Sequence, residues 1–206
     1  MSLSLPPLYA ILDPEQIKGR AIEELLRDLL RAGVKMIQLR AKSLAANEFL
    51  ALANLVRSET EAHNCRLIVN DRADIAMACN ADGVHLGQDD LPLHAGRTLL
   101  GNKIIGISTH DIEQARQAQR DGADYIGFGP MFGTQTKNTG YSARGIDMLK
   151  EIRAAVAIPI VAIGGINEHN VRQVWQAGAD SAAIISDILG STNIAAKIEA
   201  ILTQFR

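Results

Sequence analysis

The chain has 206 residues, of which 47% are hydrophobic and 21% charged, and its formal net charge at pH 7 is -2. Such a length supports one domain with a sizeable core, and the composition is that of an ordinary soluble globular protein. A nearly neutral chain has no overall field to attract nucleic acid or an anionic membrane, so neither is expected as a partner. Any anionic ligand must be held by a local cluster of cations.

The first ten residues, "MSLSLPPLYA", carry no basic segment and no long apolar stretch, so they are not read as a signal peptide. No run of about 18 apolar residues follows, so no membrane span is expected. Cys65 and Cys79 lack metal-ligand spacing and read as small buried thiols in a reducing cytoplasm.

In chain order, short apolar runs alternate with amphipathic stretches. The strand candidates are "LYAILD", "KMIQLR", "RLIVND", "GVHLG", "KIIGIST", "YIGFGP", "IPIVAIG" and "SAAIIS". Each is apolar nearly throughout, as parallel strands covered on both faces are. Between them lie helical patterns such as "AIEELLRDLLRAG", "DIEQARQAQRDG" and "EHNVRQVWQAG". An internal echo ("RAGVKMIQL", "NADGVHLG", "RDGADYIGFG", "QAGADSAAII") repeats one helix-end, glycine, strand junction. Eight βα units predict a single-domain (β/α)8 TIM barrel over residues 1–206, with a doubly wound open sheet as the alternative.

Chemistry in such barrels sits at the C-terminal ends of the strands, and polar residues gather there in this sequence. In "QLRAK", strand alternation sends Gln38 and Arg40 the same way, and Lys42 follows in the exiting loop. If that direction is inward, an amide, a guanidinium and an ammonium form one wall suited to phosphate. Asn70 and Asp71 end the third strand, and Asp90 follows the fourth. Two carboxylates facing a basic wall can hold Mg²⁺, which takes one or two carboxylates with water and substrate phosphate. Helix capping is the competing role for both residues. Cations beside an Mg²⁺ site point to a pyrophosphate.

Further along, "GFGPMFGTQTK" offers hydroxyls and a lysine without P-loop spacing. "IGGIN" and "IISD", after strands seven and eight, lie where barrels commonly hold a phosphate on backbone N–H groups. Gly87, Gly106, Gly127, Gly129 and Gly164 near the strand ends imply a cavity wide enough for a ring-bearing substrate. His110 sits at the pocket or at a helix entry beside Asp111. His85, inside a strand, reads as a satisfied core histidine, and Trp175 as packing. No nucleophile elbow, paired-histidine zinc motif or cysteine nucleophile is present, so the site suits chemistry driven by a leaving group.

Taken in order, "QLRAK", "ND", "DGVHLGQDD", "GIST", "GP" with "TQTK", "IGGI" and "IIS" resemble the thiamine-phosphate synthase family from "LYAILD" to about Leu189. The resemblance implies a (β/α)8 barrel and a transferase. It would join a hydroxymethylpyrimidine diphosphate to a hydroxyethylthiazole phosphate and release thiamine phosphate and pyrophosphate. It assigns Gln38, Arg40, Lys42, Asn70, Ser108 and Lys137 to the pyrimidine diphosphate, and Asp71 and Asp90 to Mg²⁺. Thr134, Thr136, Gly165, Ile185 and Ser186 match the contacts to the thiazole phosphate. Arg40, Lys42, Ser108 and Lys137 carry the catalytic role, because they meet the leaving group; the "TQT" hydroxyls meet the phosphate that stays. No oligomeric state is implied.

Two rivals use the same barrel. A thiazole tautomerase places a histidine after the strand-six glycine, where this chain has Pro130 after Gly129. A non-catalytic phosphate-binding regulatory barrel is the other.

Overall fold

The computed structural model describes residues 3–17, 19–133 and 142–205. Its strands are β1 (Leu8–Leu12), β2 (Met36–Leu39), β3 (Arg66–Asn70), β4 (Gly83–Leu86), β5 (Ile104–Thr109), β6 (Tyr125–Phe128), β7 (Ile160–Ile163) and β8 (Ser181–Ile184). All eight expected runs therefore form strands. Pairing is parallel throughout, and β1 pairs β8 through Leu8 with Ala182, Tyr9 with Ala183 and Ala10 with Ile184. The sheet is a closed barrel, which removes the open-sheet alternative.

Helices α1 (Ile22–Arg31), α2 (Ala46–Ala62), α3 (Ala73–Ala78), α4 (Leu93–Leu100), α5 (Ile112–Arg120), α6 (Gly145–Ala155), α7 (Val171–Gln176) and α9 (Ile194–Thr203) follow the strands. A short additional helix, α8 (Ser186–Leu189), opens directly off β8. Alternation along each strand sorts side chains into two cores. Leu8, Ala10 and Leu12 face the helices, whereas Tyr9 and Ile11 join Met36, Ile68, Tyr125, Val161 and Ala183 inside the barrel. Among the described residues, no helix is long and apolar enough to cross a membrane.

The repeated junction has a mechanical basis at the N-terminal ends of the strands. Gly33, Gly122 and Gly178 each take a positive φ just after a helix, a conformation that favours glycine. "NADG" departs from this scheme. There Asn80 takes the positive φ (53°), and Gly83 lies in β4, where a Cβ would come within 2.2 Å of the Ile104 carbonyl oxygen. The aspartates that follow the junctions share one device. Asp82 accepts from the Leu67 N–H (2.8 Å) and from Arg57 of α2 (2.7 Å). Asp124 does the same with Ile105 (2.8 Å) and Arg97 of α4 (2.7 Å). Asp180 repeats it with Ile160 (2.8 Å) and Arg153 of α6 (3.1 Å). Each aspartate ties one helix to the start of a strand, at the barrel face that serves stability.

Candidate active site

Gln38 and Arg40 do point inward. Gln38 pairs with Ile11 in the β1–β2 register, shares the face of Met36 and is buried. Its amide Nε2 donates to the Tyr9 hydroxyl at 3.0 Å. The ladder continues through the Arg40 N–H to the Leu12 carbonyl (3.0 Å), so the guanidinium keeps the same direction and lines a pocket at the C-terminal mouth. There it forms a close ion pair with Asp13, whose side chain is fully buried. The other Asp13 oxygen accepts from the Glu15 N–H (2.9 Å) and caps a 3-10 turn over Pro14–Gln16. Sequence reasoning missed Asp13, although it ends "LYAILD" at the position where the other strands carry their polar residues.

Gln38, Arg40, Asn70, Ser108, Gly165, Ile185 and Ser186 all line this one pocket. His110 lines it too, with Nδ1 2.6 Å from the Gly129 carbonyl oxygen. It also sits at the entry to α5, where Asp111 accepts from the Gln114 N–H and Gln114 accepts from the His110 N–H, both at 2.8 Å. Its two expected settings are thus one place.

The pocket floor is a run of polar side chains whose function was not foreseen. The Tyr9 and Tyr125 hydroxyls are 3.2 Å apart, the Tyr125 hydroxyl is 3.0 Å from His85 Nδ1, and His85 Nε2 is 2.9 Å from Ser108 Oγ. Burial raises the pKa of both tyrosines above its ordinary value. His85 has the partners expected of a satisfied core histidine, yet it also lines the pocket and touches Ser108. The cue in the sequence is that aromatic residues make up only 4% of the chain, while two tyrosines lie inside strands.

Two of the strand-end glycines, Gly106 and the pocket-lining Gly127, serve these rings rather than a substrate ring. A Cβ on Gly106 would come within 2.1 Å of Tyr125 Cζ, and one on Gly127 within 2.8 Å of His85 Cε1. Gly106→Ala is therefore expected to cost about 1–3 kcal/mol through overpacking. Urea unfolding checks this, and an unchanged midpoint would mean that Tyr125 shifts freely. Gly129, Gly164 and Gly165 remain in the pocket wall.

Beside the pocket, Lys42, Asp71 and Asp90 form a second cluster. The Asp71 N–H donates to the His85 carbonyl (2.8 Å), extending the β3–β4 pairing by one residue. Asp71 itself has a positive φ of 62°. Asp90 turns back to accept from the Gly87 N–H at 2.6 Å. Neither residue is a helix N-cap: Arg72 precedes α3 and Pro92 precedes α4, with no side-chain cap at either. Lys42 Nζ lies 2.8 Å from Asp71 Oδ2. Burial raises the pKa of the Asp90 carboxyl, and its hydrogen bond and charge contact with Asp71 raise it further. Two hard-oxygen donors held together against their mutual repulsion fit a divalent cation of the Mg²⁺ type. Among the described residues, no group of three or more His, Cys, Asp or Glu side chains could hold a metal.

Gly164 and Gly165 follow β7 with positive φ (100° and 66°). A Cβ on Gly165 would come within 2.6 Å of the Gly133 carbonyl oxygen, so backbone replaces side chain at this wall. Ser186 opens α8 directly after β8. Thr134, Thr136 and Lys137 lie outside the described residues.

Fold and site together define a (β/α)8 barrel with an anion-suited pocket at the C-terminal ends of its strands. Residues 8–188 match the family model described as thiamine monophosphate synthase. The chain belongs to the thiamine monophosphate synthase family. It is 45% identical to the thiamine-phosphate synthase of Syntrophomonas wolfei over 91% of this chain and 90% of that protein. With the thiamine-phosphate synthase of Moorella thermoacetica the identity is 44%, over 97% of each chain. A solved thiamine phosphate pyrophosphorylase from Pyrococcus furiosus superposes with a TM-score of 0.88 at 33% identity, covering 97% of this chain and 95% of that one.

Proposed function

We propose that the chain is a thiamine-phosphate synthase. It joins 4-amino-2-methyl-5-hydroxymethylpyrimidine diphosphate to 4-methyl-5-hydroxyethylthiazole phosphate and releases thiamine phosphate and pyrophosphate. The observation that carries this reading is the convergence of Gln38, Arg40, Asn70 and Ser108 on one pocket, within a family match spanning residues 8–188.

In this reading the bond between the pyrimidine methylene carbon and the diphosphate oxygen breaks first, and the thiazole nitrogen captures the resulting cation. Arg40, Lys42, Ser108 and Lys137 meet the charge that grows on the leaving diphosphate, and this electrostatic assistance calls for little general-base chemistry. Gln38 and Asn70 orient the pyrimidine diphosphate, and the shared pocket supplies proximity. Thr134, Thr136, Gly165, Ile185 and Ser186 hold the phosphate that stays. Asp71 and Asp90 would hold Mg²⁺, which when bound would neutralise diphosphate charge. Lys42, half-exposed and now paired with Asp71, can turn to the diphosphate when a cation takes its place. The free buried thiols of Cys65 and Cys79 support a reducing cytoplasmic setting, and residues 1–206 act as one catalytic domain.

Incubating the protein with both substrates and Mg²⁺ and measuring pyrophosphate tests the reading. A tautomerase would isomerise a thiazole phosphate carboxylate without releasing pyrophosphate, and a binding barrel would do neither. Asp90→Asn is expected to raise the Mg²⁺ concentration for half-maximal rate by about 10-fold or more, since even outer-sphere partners of a metal are worth that much. Mg²⁺ with pyrophosphate should also raise Tm in the parent chain by mass action, and far less in Asp90→Asn. Equal Tm shifts in the two proteins would remove Asp90 from the metal site.

A further inference from the structure

We propose that Gln38, Tyr9, Tyr125 and His85 form a one-way hydrogen-bond relay that fixes His85 as its Nε2–H tautomer and so holds the Ser108 hydroxyl as a donor to the pocket. The proposal deepens the functional reading above and rests on it for the role of Ser108.

The direction follows from counting protons. Gln38 Nε2 can only donate, and it donates to the Tyr9 hydroxyl at 3.0 Å. The Tyr9 side chain is buried, so its own proton needs an acceptor, and the Tyr125 oxygen at 3.2 Å supplies one. With that oxygen accepting, the Tyr125 proton goes to His85 Nδ1 at 3.0 Å. The imidazole then carries its hydrogen on Nε2 and donates to Ser108 Oγ at 2.9 Å. Ser108 accepts from behind, and its single O–H is left to point into the pocket that it lines. Suppose instead that Tyr125 donated to Tyr9. Tyr9 would then accept twice and its buried proton would have no acceptor in the relay.

Geometry independent of the hydrogen bonds supports the relay. The His85 and Tyr125 rings stack with centroids 5.5 Å apart and planes 29° apart. Gly127 and Gly106 clear the space those two rings fill. The direction of the chain is set by Gln38 alone. Were its amide to present the carbonyl oxygen, every bond would reverse and Ser108 would donate to His85 instead of to a ligand. A bond chain polarised one way also strengthens its terminal donor. His85 is thus a positioning residue, and Ser108 makes the contact with the leaving group.

The test is two-bond ¹H–¹⁵N NMR of the histidine rings in the unliganded protein, with His85 assigned by the signal lost in His85→Gln. The expected pattern is a protonated Nε2 and a bare Nδ1. Once its carboxyl is ionised, Gln38→Glu offers Tyr9 only acceptors and should switch His85 to Nδ1–H. Its spectra are taken above the pH of that ionisation, which burial raises. Tyr125→Phe should give a mixture of tautomers. It should also lower kcat by about 10-fold, the rate equivalent of about one hydrogen bond, with KM for either substrate nearly unchanged. An Nδ1–H tautomer in the parent chain, or Nε2–H retained in Gln38→Glu, overturns the relay. The NMR measurement needs no substrate. A chain that released no pyrophosphate yet showed Nε2–H would overturn the proposed reaction and still support the relay.

Discussion

Asp13→Ala is expected to lower the unfolding free energy by about 3–5 kcal/mol, the usual cost of removing one partner of a buried ion pair. Asp13 is fully buried, and the Arg40 side chain is only 13% exposed, so water can do little to solvate the stranded guanidinium. Glu15, 3.9 Å away and 43% exposed, is too distant and too wet to replace the lost carboxylate. The same substitution removes the cap on the Glu15 N–H. Asp13→Asn keeps an acceptor for that N–H and isolates the charge effect, so it should cost less than Asp13→Ala. The double variant Asp13→Ala/Arg40→Met should regain much of the loss, because the unpaired buried charge goes with Arg40. Activity should not return, since Arg40 is a pocket residue. Urea unfolding of the three variants decides the matter. A loss below about 1 kcal/mol in Asp13→Ala would be the value of a solvent-screened pair.

Ser108→Ala is expected to lower kcat by about 10²–10³-fold, the range for losing one preorganised donor to a developing negative charge. In the proposed reaction the leaving diphosphate gains charge as its bond to carbon ionises, so a donor aimed at it works harder in the transition state than in the bound substrate. Ground-state affinity for the diphosphate comes chiefly from the cations, so its KM should change far less than kcat. Replacing Oγ by hydrogen leaves His85 Nε2 without its 2.9 Å partner, yet the barrel should remain folded, because Ser108 belongs to neither hydrophobic core. Steady-state kinetics with each substrate varied reads the outcome. A change confined to KM for the thiazole phosphate would assign Ser108 to the phosphate that stays.

The order of strands and helices was set by the sequence, because burial on both faces demands apolar runs and the helix-ending junctions mark each return. The parity of "QLRAK" likewise determined that Gln38 and Arg40 share a direction, since strand side chains alternate. Parity does not say which of two directions is inward; only closure of β8 on β1 decided that. The strand-end glycines read as room for a substrate ring, and at Gly106 and Gly127 that room is taken by protein side chains. Which ring fills the space at Gly106 and Gly127 required a partner from another strand, and the occupants are Tyr125 and His85. The helical pattern "EHNVRQVWQ" also ran further than its helix. Asn167 and Asn170 exchange hydrogen bonds with the local backbone, and α7 starts only at Val171. Asp71 and Asp90 read as metal ligands because of the cations in "QLRAK", with capping as the competing role, since one carboxylate can do either from the same position in the chain. The tertiary structure brought them within hydrogen-bonding reach of each other and gave α3 and α4 other first residues. Ion pairs such as Asp13 with Arg40, and the relay beneath Ser108, join residues 27 and 116 positions apart. No local pattern encodes contacts at that separation, because they arise only when the strands are wound into one barrel.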